Sequence, residues 1–296
     1  MPAFMTQIEL LKKYQIPVRG QLGQHLLIDP NIQQKIVDLL DPQPDEWVLE
    51  IGPGLGALTQ ELLSRGVKVL AIEKDKRFVK VLEEENAVRY AGKFTLLTGD
   101  VLRLDLGRSI EENIPDSKLP IKVLSNLPYY ITAPILVSLL DNDRLFSRAV
   151  LTMQKEVAAR LLAQPGTKDY GRLTLAVRLL ADVKLGFAIS RHCFTPRPAV
   201  ESTVLSVFFH RGLEKIPDLD RARLLGLIKL AFGKRRKMLL AVLFHEPSVG
   251  RTRSELAAIF DRLGIAEQAR GEELMAKDFI ALARALWTFD KKKSPC

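Results

Sequence analysis

From residue 46 onward, short apolar runs alternate with stretches whose apolar residues recur every three to four positions. The runs are WVLEI (47–51), VKVLAI (67–72), FTLLTG (94–99), IKVLSN (121–126) and AVLTMQ (149–154). Runs this short and this apolar mark strands covered on both faces. Helical periodicity occupies the intervals 57–64, 76–88, 131–140 and 155–163. Strands alternating with helices predict a parallel sheet with helices on both faces. Upstream, Asp29 and Pro30 supply an N-cap and a first-turn proline for a helix over 31–40. Downstream, VKLGFAI (183–189) and TVLSVFFH (203–210) predict two more strands that close the sheet antiparallel.

After His210 the texture changes. Residues 221–232, 234–244, 253–263 and 277–289 are periodic as helices with no strand between them, and Thr252-Arg-Ser-Glu255 has capping-box form. A boundary near Arg211-Gly212 therefore divides the chain into expected domains 1–211 and 212–296, the second small and all-α, with a disordered basic tail at 291–293. The 296 residues, 47% hydrophobic and 27% charged, suit two globular domains and exclude collagen-like, disordered and coiled-coil chains. No apolar run reaches the roughly 20 residues of a membrane span, and residues 1–14 do not read as a secretory signal. Two cysteines, Cys193 and Cys296, make neither a disulfide framework nor a four-ligand zinc site, and His192, His210 and His245 lack ligand spacing. A cytoplasmic protein without a metal is expected.

Charge adds a partner class. Lys and Arg number 44 against 35 Asp and Glu, a formal +9, and residues 212–296 alone hold 17 basic and 11 acidic side chains. A polyanion bound through phosphate neutralisation explains this excess; a solvated basic surface explains it equally well.

Glu50-Ile-Gly-Pro-Gly-Leu-Gly56 stands where a strand ends and a helix begins. Gly52 and Gly54 let the backbone pass close to a ligand and leave amide N–H groups free at a helix N-terminus. Glu73 ends the next strand and Asp100 the third, at the sheet edge where open α/β folds bind ligands and where an acid reaches ribose hydroxyls. A nucleoside-containing cofactor follows. The dinucleotide fingerprint does not fit, because Pro53 follows Gly52 and the third glycine comes early. Glu-x-Gly-x-Gly-x-Gly with acids on two successive strand ends instead resembles the S-adenosylmethionine (SAM) site of class I methyltransferases.

The fourth strand ends in Asn126-Leu-Pro-Tyr129, which is similar to the Asn/Asp-Pro-Pro-Tyr class of enzymes that methylate exocyclic amino groups. The chemistry suits these residues. The N6 lone pair of adenine is delocalised into the ring and attacks a methyl group poorly. The amide oxygen of Asn126 and the carbonyl of Leu127 are acceptors suited to drawing N6 toward tetrahedral geometry. Pro128 lacks an N–H and stiffens the turn, and Tyr129 offers a ring for a flipped base. The tetrapeptide holds no carboxylate, His or Lys, so orientation must dominate over base strength.

Together with further motifs between about residues 20 and 243, these features resemble the bacterial small-subunit ribosomal RNA adenine N6,N6-dimethyltransferase family. Gly23-Gln-His-Leu-Leu-Ile-Asp29 is similar to that family's Gly-Gln-Asn/His-Phe-Leu-x-Asp, with Leu26 in place of Phe. Gln154-Lys-Glu-Val157 and Asp169-Tyr-Gly-Arg-Leu173 also match. Phe194-Thr-Pro-Arg-Pro-Ala-Val-Glu-Ser202 matches Phe-x-Pro-x-Pro-x-Val-x-Ser, with Ala199 where Lys is usual. Ala231-Phe-Gly-Lys-Arg-Arg-Lys237 matches Ala-Phe-x-x-Arg-Arg-Lys, with Ala241 where Asn is frequent.

The resemblance implies an α/β, Rossmann-like class I SAM-dependent methyltransferase domain followed by a helical RNA-binding domain. It implies SAM contacts from His25, Leu27, Gly52, Gly54, Glu73, Asp100 and Asn126. It implies catalysis by Asn126, Leu127, Pro128 and Tyr129, with Phe194 facing Tyr129 across the base. Lys234, Arg235, Arg236 and Lys237, read as the start of a helix, would grip phosphates; four consecutive cations cannot share one helical face, so some turn inward or toward a partner. The implied substrate is a pair of adjacent adenosines in the loop of the 3′-terminal helix of 16S rRNA, each dimethylated by a monomer acting on an immature 30S subunit. Two other readings stay open: a large-subunit rRNA methylase of the macrolide-resistance type, and a binding or assembly protein without catalysis. The motifs at 154–157 and 169–173 favour the small-subunit branch, and the intact glycine loop, Glu73, Asp100 and Asn126 speak against a degenerate site.

Overall fold

The computed structural model describes residues 5–17, 25–87, 89–115, 118–210 and 221–287. The expected boundary at Arg211-Gly212, residues Gly23 and Gln24 of the N-terminal motif, the tail at 291–293 and Cys296 lie outside the described residues. Helix α1 (Gln7–Lys13) opens with a capping box between Thr6 and Glu9. A two-residue strand, β1 (Leu26–Leu27), precedes α2 (Pro30–Leu40), whose N-cap Asp29 accepts from the amides of Asn31 and Ile32. Strands and helices then alternate: β2 (Trp47–Ile51), α3 (Ala57–Ser64), β3 (Lys68–Glu73), α4 (Lys76–Leu82), β4 (Phe94–Thr98), α5 (Leu106–Asn113), β5 (Ile121–Asn126), α6 (Thr132–Asp141) and β6 (Phe146–Gln154). Helices α7 (Lys155–Leu162) and α8 (Arg172–Leu180) lead to β7 (Ala181–Ile189), β8 (Phe194–Thr195) and β9 (Ser202–Phe209).

The main sheet has the order β4-β3-β2-β5-β6-β9-β7. Strands β4 to β6 pair in parallel, and β9 lies antiparallel between β6 and β7. Every residue of β2 is buried, as are five of the six in β3; cover on both faces is what makes these strands read as unbroken apolar runs. One core cluster joins Ile36, Val37 and Leu40 of α2 to Val48 of β2, Leu62 of α3 and Val204 of β9. Neighbours β2 and β5 are separated in sequence by two strands, so the topology switches between them, and ligands bind at such switch points. Ser125 Oγ donates to the Ile51 carbonyl at 2.6 Å and ties these two strand ends together.

Three expectations need correction. The helix read over 76–88 is α-helical only to Leu82 and continues as a π-helical turn, Glu83–Ala87. The helix read over 234–244 begins only at α10 (Leu239–Phe244). Residues 234–238 form a turn in which the Lys237 amide donates to the Lys234 carbonyl, because Met238 and Leu239 pair with the backbone of Arg270 and Ala269. The division at 211 is also not a simple cut in chain order. One compact unit comprises Met1–Ala158 and Ala181–His210, and the other Ala159–Leu180 and Arg211–Cys296.

The second unit recruits its first segment through specific bonds. The Tyr170 hydroxyl donates to the Leu274 carbonyl at 2.9 Å, and the Gly166 amide to the Glu272 carbonyl at 2.8 Å. The Tyr170 ring also meets that of Phe232 at 6.0 Å. Helix α8 thereby joins α9 (Arg221–Gly233), α10, α11 (Arg253–Arg262), which carries the expected capping box, and α12 (Ala276–Trp287). Among the described residues, no helix is long and apolar enough to cross a membrane.

Candidate active site

The glycine loop leaves β2 with left-handed backbone at Gly52 (φ 67°) and Gly54 (φ 61°). The left-handed backbone at Gly54 strains any side chain, and a Cβ there would also stand 3.1 Å from Leu26 Cδ2, which would have to yield. The Gly54 amide donates to Glu73 Oε2 at 3.0 Å, while Glu73 Oε1 accepts from the amides of Lys74 and Asp75, both at 2.8 Å. Three amide donors fix this carboxylate at the tip of β3. Burial nevertheless raises its pKa, because desolvation outweighs them. Glu50, the first residue of the loop motif, is 1% exposed and accepts from Thr59 Oγ1 at 2.6 Å. Loss of water pushes its carboxyl up to about 8. Asp100 is held below the usual carboxylate range by Lys74 Nζ at 2.9 Å and by the Leu102 amide.

Two cavities meet along Gly52, Glu73 and Pro128. The larger, about 360 Å³, combines the apolar side chains of Ile72, Val101 and Ile135 with Asp100. The smaller, about 90 Å³, is bordered by His25, Leu27, Glu50, Gly54, Asn126 and Tyr129, together with Gln7 of α1. No atom lies within 4 Å of where a Gly52 Cβ would stand, so backbone is offered at the junction. A larger compartment with an acid at its far side, a second acid at the junction and a smaller branch beside the glycine loop fit a nucleoside carrying an arm. The residues present thus suit SAM, which brings an electrophilic methyl group on a sulfonium.

The structure brings His25, Leu27, Gly52, Gly54, Glu73, Asn126, Leu127, Pro128 and Tyr129 together around the smaller cavity and places Asp100 at the larger. Asn126 Nδ2 donates to the His25 carbonyl at 3.0 Å, which fixes the amide plane and keeps Oδ1 as its acceptor. Leu127 is 2% exposed, and its amide donates to the Thr152 carbonyl. The Tyr129 hydroxyl shares a 2.7 Å hydrogen bond with Ser202 Oγ, and its ring meets the His25 ring at 5.2 Å. His25 Nδ1 lies 2.7 Å from the Pro196 carbonyl, so Nδ1 carries the proton.

Phe194 departs from its expected position. It is 3% exposed, pairs with Leu27 across the β1–β8 ladder and belongs to the core cluster with Ile189 and Val204. The ring beside Tyr129 is that of His25. The Phe194–Ser202 motif therefore supports the site through Pro196 and Ser202 rather than through its phenylalanine. Glu50 and Gln7 were not singled out from sequence. Glu50 is the first letter of the loop motif, whereas Gln7 lies in no motif that the sequence offers.

The basic run divides. Lys234, Arg236 and Lys237 are exposed. Arg235 is turned inward, paired with Glu272 and donating to the carbonyls of Thr167 and Lys168 at 3.1 and 3.0 Å. Cys193 is half-buried, and its thiol contacts the N-cap carboxylate Asp29 at 3.6 Å. Among the described residues, no three His, Cys, Asp or Glu side chains are grouped to hold a metal ion.

Comparison with known proteins agrees with this geometry. The family described as ribosomal RNA adenine dimethylase matches residues 17–286. A protein named ribosomal RNA small subunit methyltransferase A from Streptococcus pneumoniae (strain P1031) is 38% identical over 278 residues, covering 94% of each chain. One of the same name from Lachnoclostridium phytofermentans is 35% identical, covering 93% of this chain and 94% of its own. A dimethyladenosine transferase from Plasmodium falciparum superposes with a TM-score of 0.74 at 25% identity, covering 87% of this chain and 96% of its own. The 23S rRNA methyltransferase ErmE superposes with a TM-score of 0.64, also at 25% identity, covering 88% and 99%. With its class I sheet, its Asn-Leu-Pro-Tyr turn at the topological switch and the family match over residues 17–286, the chain belongs to the ribosomal RNA adenine dimethylase family of SAM-dependent methyltransferases.

Proposed function

We propose that this enzyme acts in the cytoplasm, as a monomer, on the 16S rRNA of an immature 30S subunit. There it transfers methyl groups from SAM to the N6 atoms of two adjacent adenosines in the loop of the 3′-terminal helix, dimethylating each. The observation that carries the reading is the Asn126 amide, locked by the His25 carbonyl at the rim of the smaller cavity. Relatives bearing the small-subunit name at 35% and 38% identity support the choice of subunit.

Each residue has a defined task in this reading. Asn126 Oδ1 and the Leu127 carbonyl accept the two N6 hydrogens, which localises the nitrogen lone pair and aims it at the methyl group. As the N–C bond forms, the donor would leave as S-adenosylhomocysteine and N6 would shed one proton to water, so that one N–H remains whose hydrogen bond Asn126 accepts. Pro128 keeps an N–H out of the turn. Tyr129, anchored by Ser202, stacks on the flipped base, with the His25 ring beside it. Glu73 holds the ribose, Asp100 the adenine end, and Gly52 and Gly54 the backbone side of the donor. Lys234, Arg236 and Lys237 contact phosphates and position the RNA without reading its sequence.

The test supplies tritiated SAM to small subunits lacking the two dimethyladenosines and, in parallel, to 50S-derived RNA, followed by nuclease digestion and nucleoside chromatography. Label in N6,N6-dimethyladenosine is the expected outcome; label only on 50S-derived RNA overturns the assignment to 16S rRNA. Asn126→Ala should lower turnover at least a hundredfold, about 3 kcal/mol of barrier, while RNA binding stays within twofold. Normal turnover by that variant would refute the mechanism.

A further inference from the structure

Helix α1 lies outside every motif discussed so far, yet it reaches the site. Leu10 and Ile16 are buried in a cluster with Leu26, Leu55 and Phe78, and Lys13 and the Tyr14 hydroxyl both bind Glu85 Oε1. The helix is thus fastened to the glycine loop, of which Leu55 is a part, and to the π-helical turn. Gln7 projects from it into the wall of the smaller cavity and is 4% exposed. Its Nε2 donates to the Leu55 carbonyl at 3.4 Å. Its Oε1 is buried without a hydrogen-bond partner among the described residues. A buried acceptor left unpaired is destabilising, and such groups are rare unless something else satisfies them.

We propose that Gln7 is a cofactor-binding residue whose Oε1 accepts a hydrogen bond from the α-ammonium of the methyl donor. The inference rests on SAM being the cofactor. The larger compartment, with Ile72, Val101 and Ile135 for a base and Glu73 and Asp100 for polar groups, suits the nucleoside, which leaves the smaller branch for the amino-acid arm. That arm has one donor group, the ammonium, whose three N–H bonds need acceptors. Glu50 borders the same branch with one oxygen already receiving Thr59, and Gln7 Oε1 adds an uncharged acceptor. The N-terminal helix therefore completes the donor's amino-acid subsite.

Isothermal titration on the full chain tests this with two ligands. S-adenosylhomocysteine carries the ammonium arm, and 5′-methylthioadenosine has the nucleoside without it. Gln7→Leu should weaken S-adenosylhomocysteine about tenfold and leave methylthioadenosine within twofold, without lowering the melting temperature of the ligand-free protein. Gln7→Asn, which keeps the amide but withdraws it by one methylene, should give the same selective loss. Unchanged affinity for both ligands, or equal weakening of both, overturns the proposal; equal weakening would mean that the helix only packs. Wild-type protein that binds neither ligand would instead overturn the cofactor assignment on which the inference stands.

Discussion

Glu50 is wholly buried beside the glycine loop, and its carboxyl titrates at about 8 where an unfolded chain releases that proton near 4.5. The folded protein keeps the proton longer, so this group costs stability progressively as pH rises from about 4.5 to about 8, and no further above that. The full effect is on the order of 5 kcal/mol. Urea midpoints of the ligand-free protein should therefore fall between about pH 5 and pH 8 more steeply for wild type than for Glu50→Gln, which cannot titrate and still accepts from Thr59. Parallel slopes would contradict the burial argument. Glu73 and Asn126 are legible in the sequence as strand-end positions because strand, turn and helix follow one another within a few residues, whereas Glu50 shows only as the first letter of the loop motif. The His25–Tyr129 pair was not, since His25 is fixed by Pro196, 171 positions away. Phe194 misled for the same reason, its burial being decided by a ladder to Leu27.

At the scale of elements, β7 shows what packing adds to pattern. It is the outer strand of the sheet, with Leu185 at 62% exposure, and its register to β9 shifts between Leu185 and Ala188. Gly186 sits in that shift, where a Cβ would come within 2.6 Å of Leu39 Cδ2 and 2.9 Å of the Val204 carbonyl. Leu39 can move; the β9 backbone cannot without disturbing a central pairing. Gly186→Ala should therefore cost about 1–3 kcal/mol in urea unfolding, with Kd for S-adenosylhomocysteine unchanged; an unaltered midpoint would show that the strand shifts freely. The strong strands and α2, α3 and α6 were legible because long apolar periodicity outweighs context. Helices α1 and α8 are not legible in this way, one being only seven residues long and the other running without a break into the strand that follows it.

For the whole molecule, the excess of positive charge separates into a structural part and an exposed part. Arg235 bonds Glu272 and two carbonyls of the loop before α8, so Arg235→Ala should lower stability by about 1–2 kcal/mol. Its exposed neighbours should behave oppositely. Replacing Lys234, Arg236 and Lys237 together by Ala should leave the melting temperature in place and reduce the slope of log affinity for RNA against log salt by about 3. A slope that moves with Arg235 and not with its neighbours would invert the assignment. The run's charge was legible, but the inward turn of its second member was not, because Glu272 and the carbonyls of Thr167 and Lys168 come from distant parts of the chain.

The second unit enters the sequence twice, at Ala159–Leu180 and again from Arg211, with β7, β8 and β9 strung between. Recombination sees this unit differently from a folding chain. A single crossover near residue 210 would graft α9 to α12 from one parent onto α8 from another, and Tyr170 would face a foreign Leu274 carbonyl and a foreign Phe232 ring. A chimera that exchanges the unit intact needs three junctions, near 158, 180 and 210, so its helices should be inherited as a block with the enzyme that carries them.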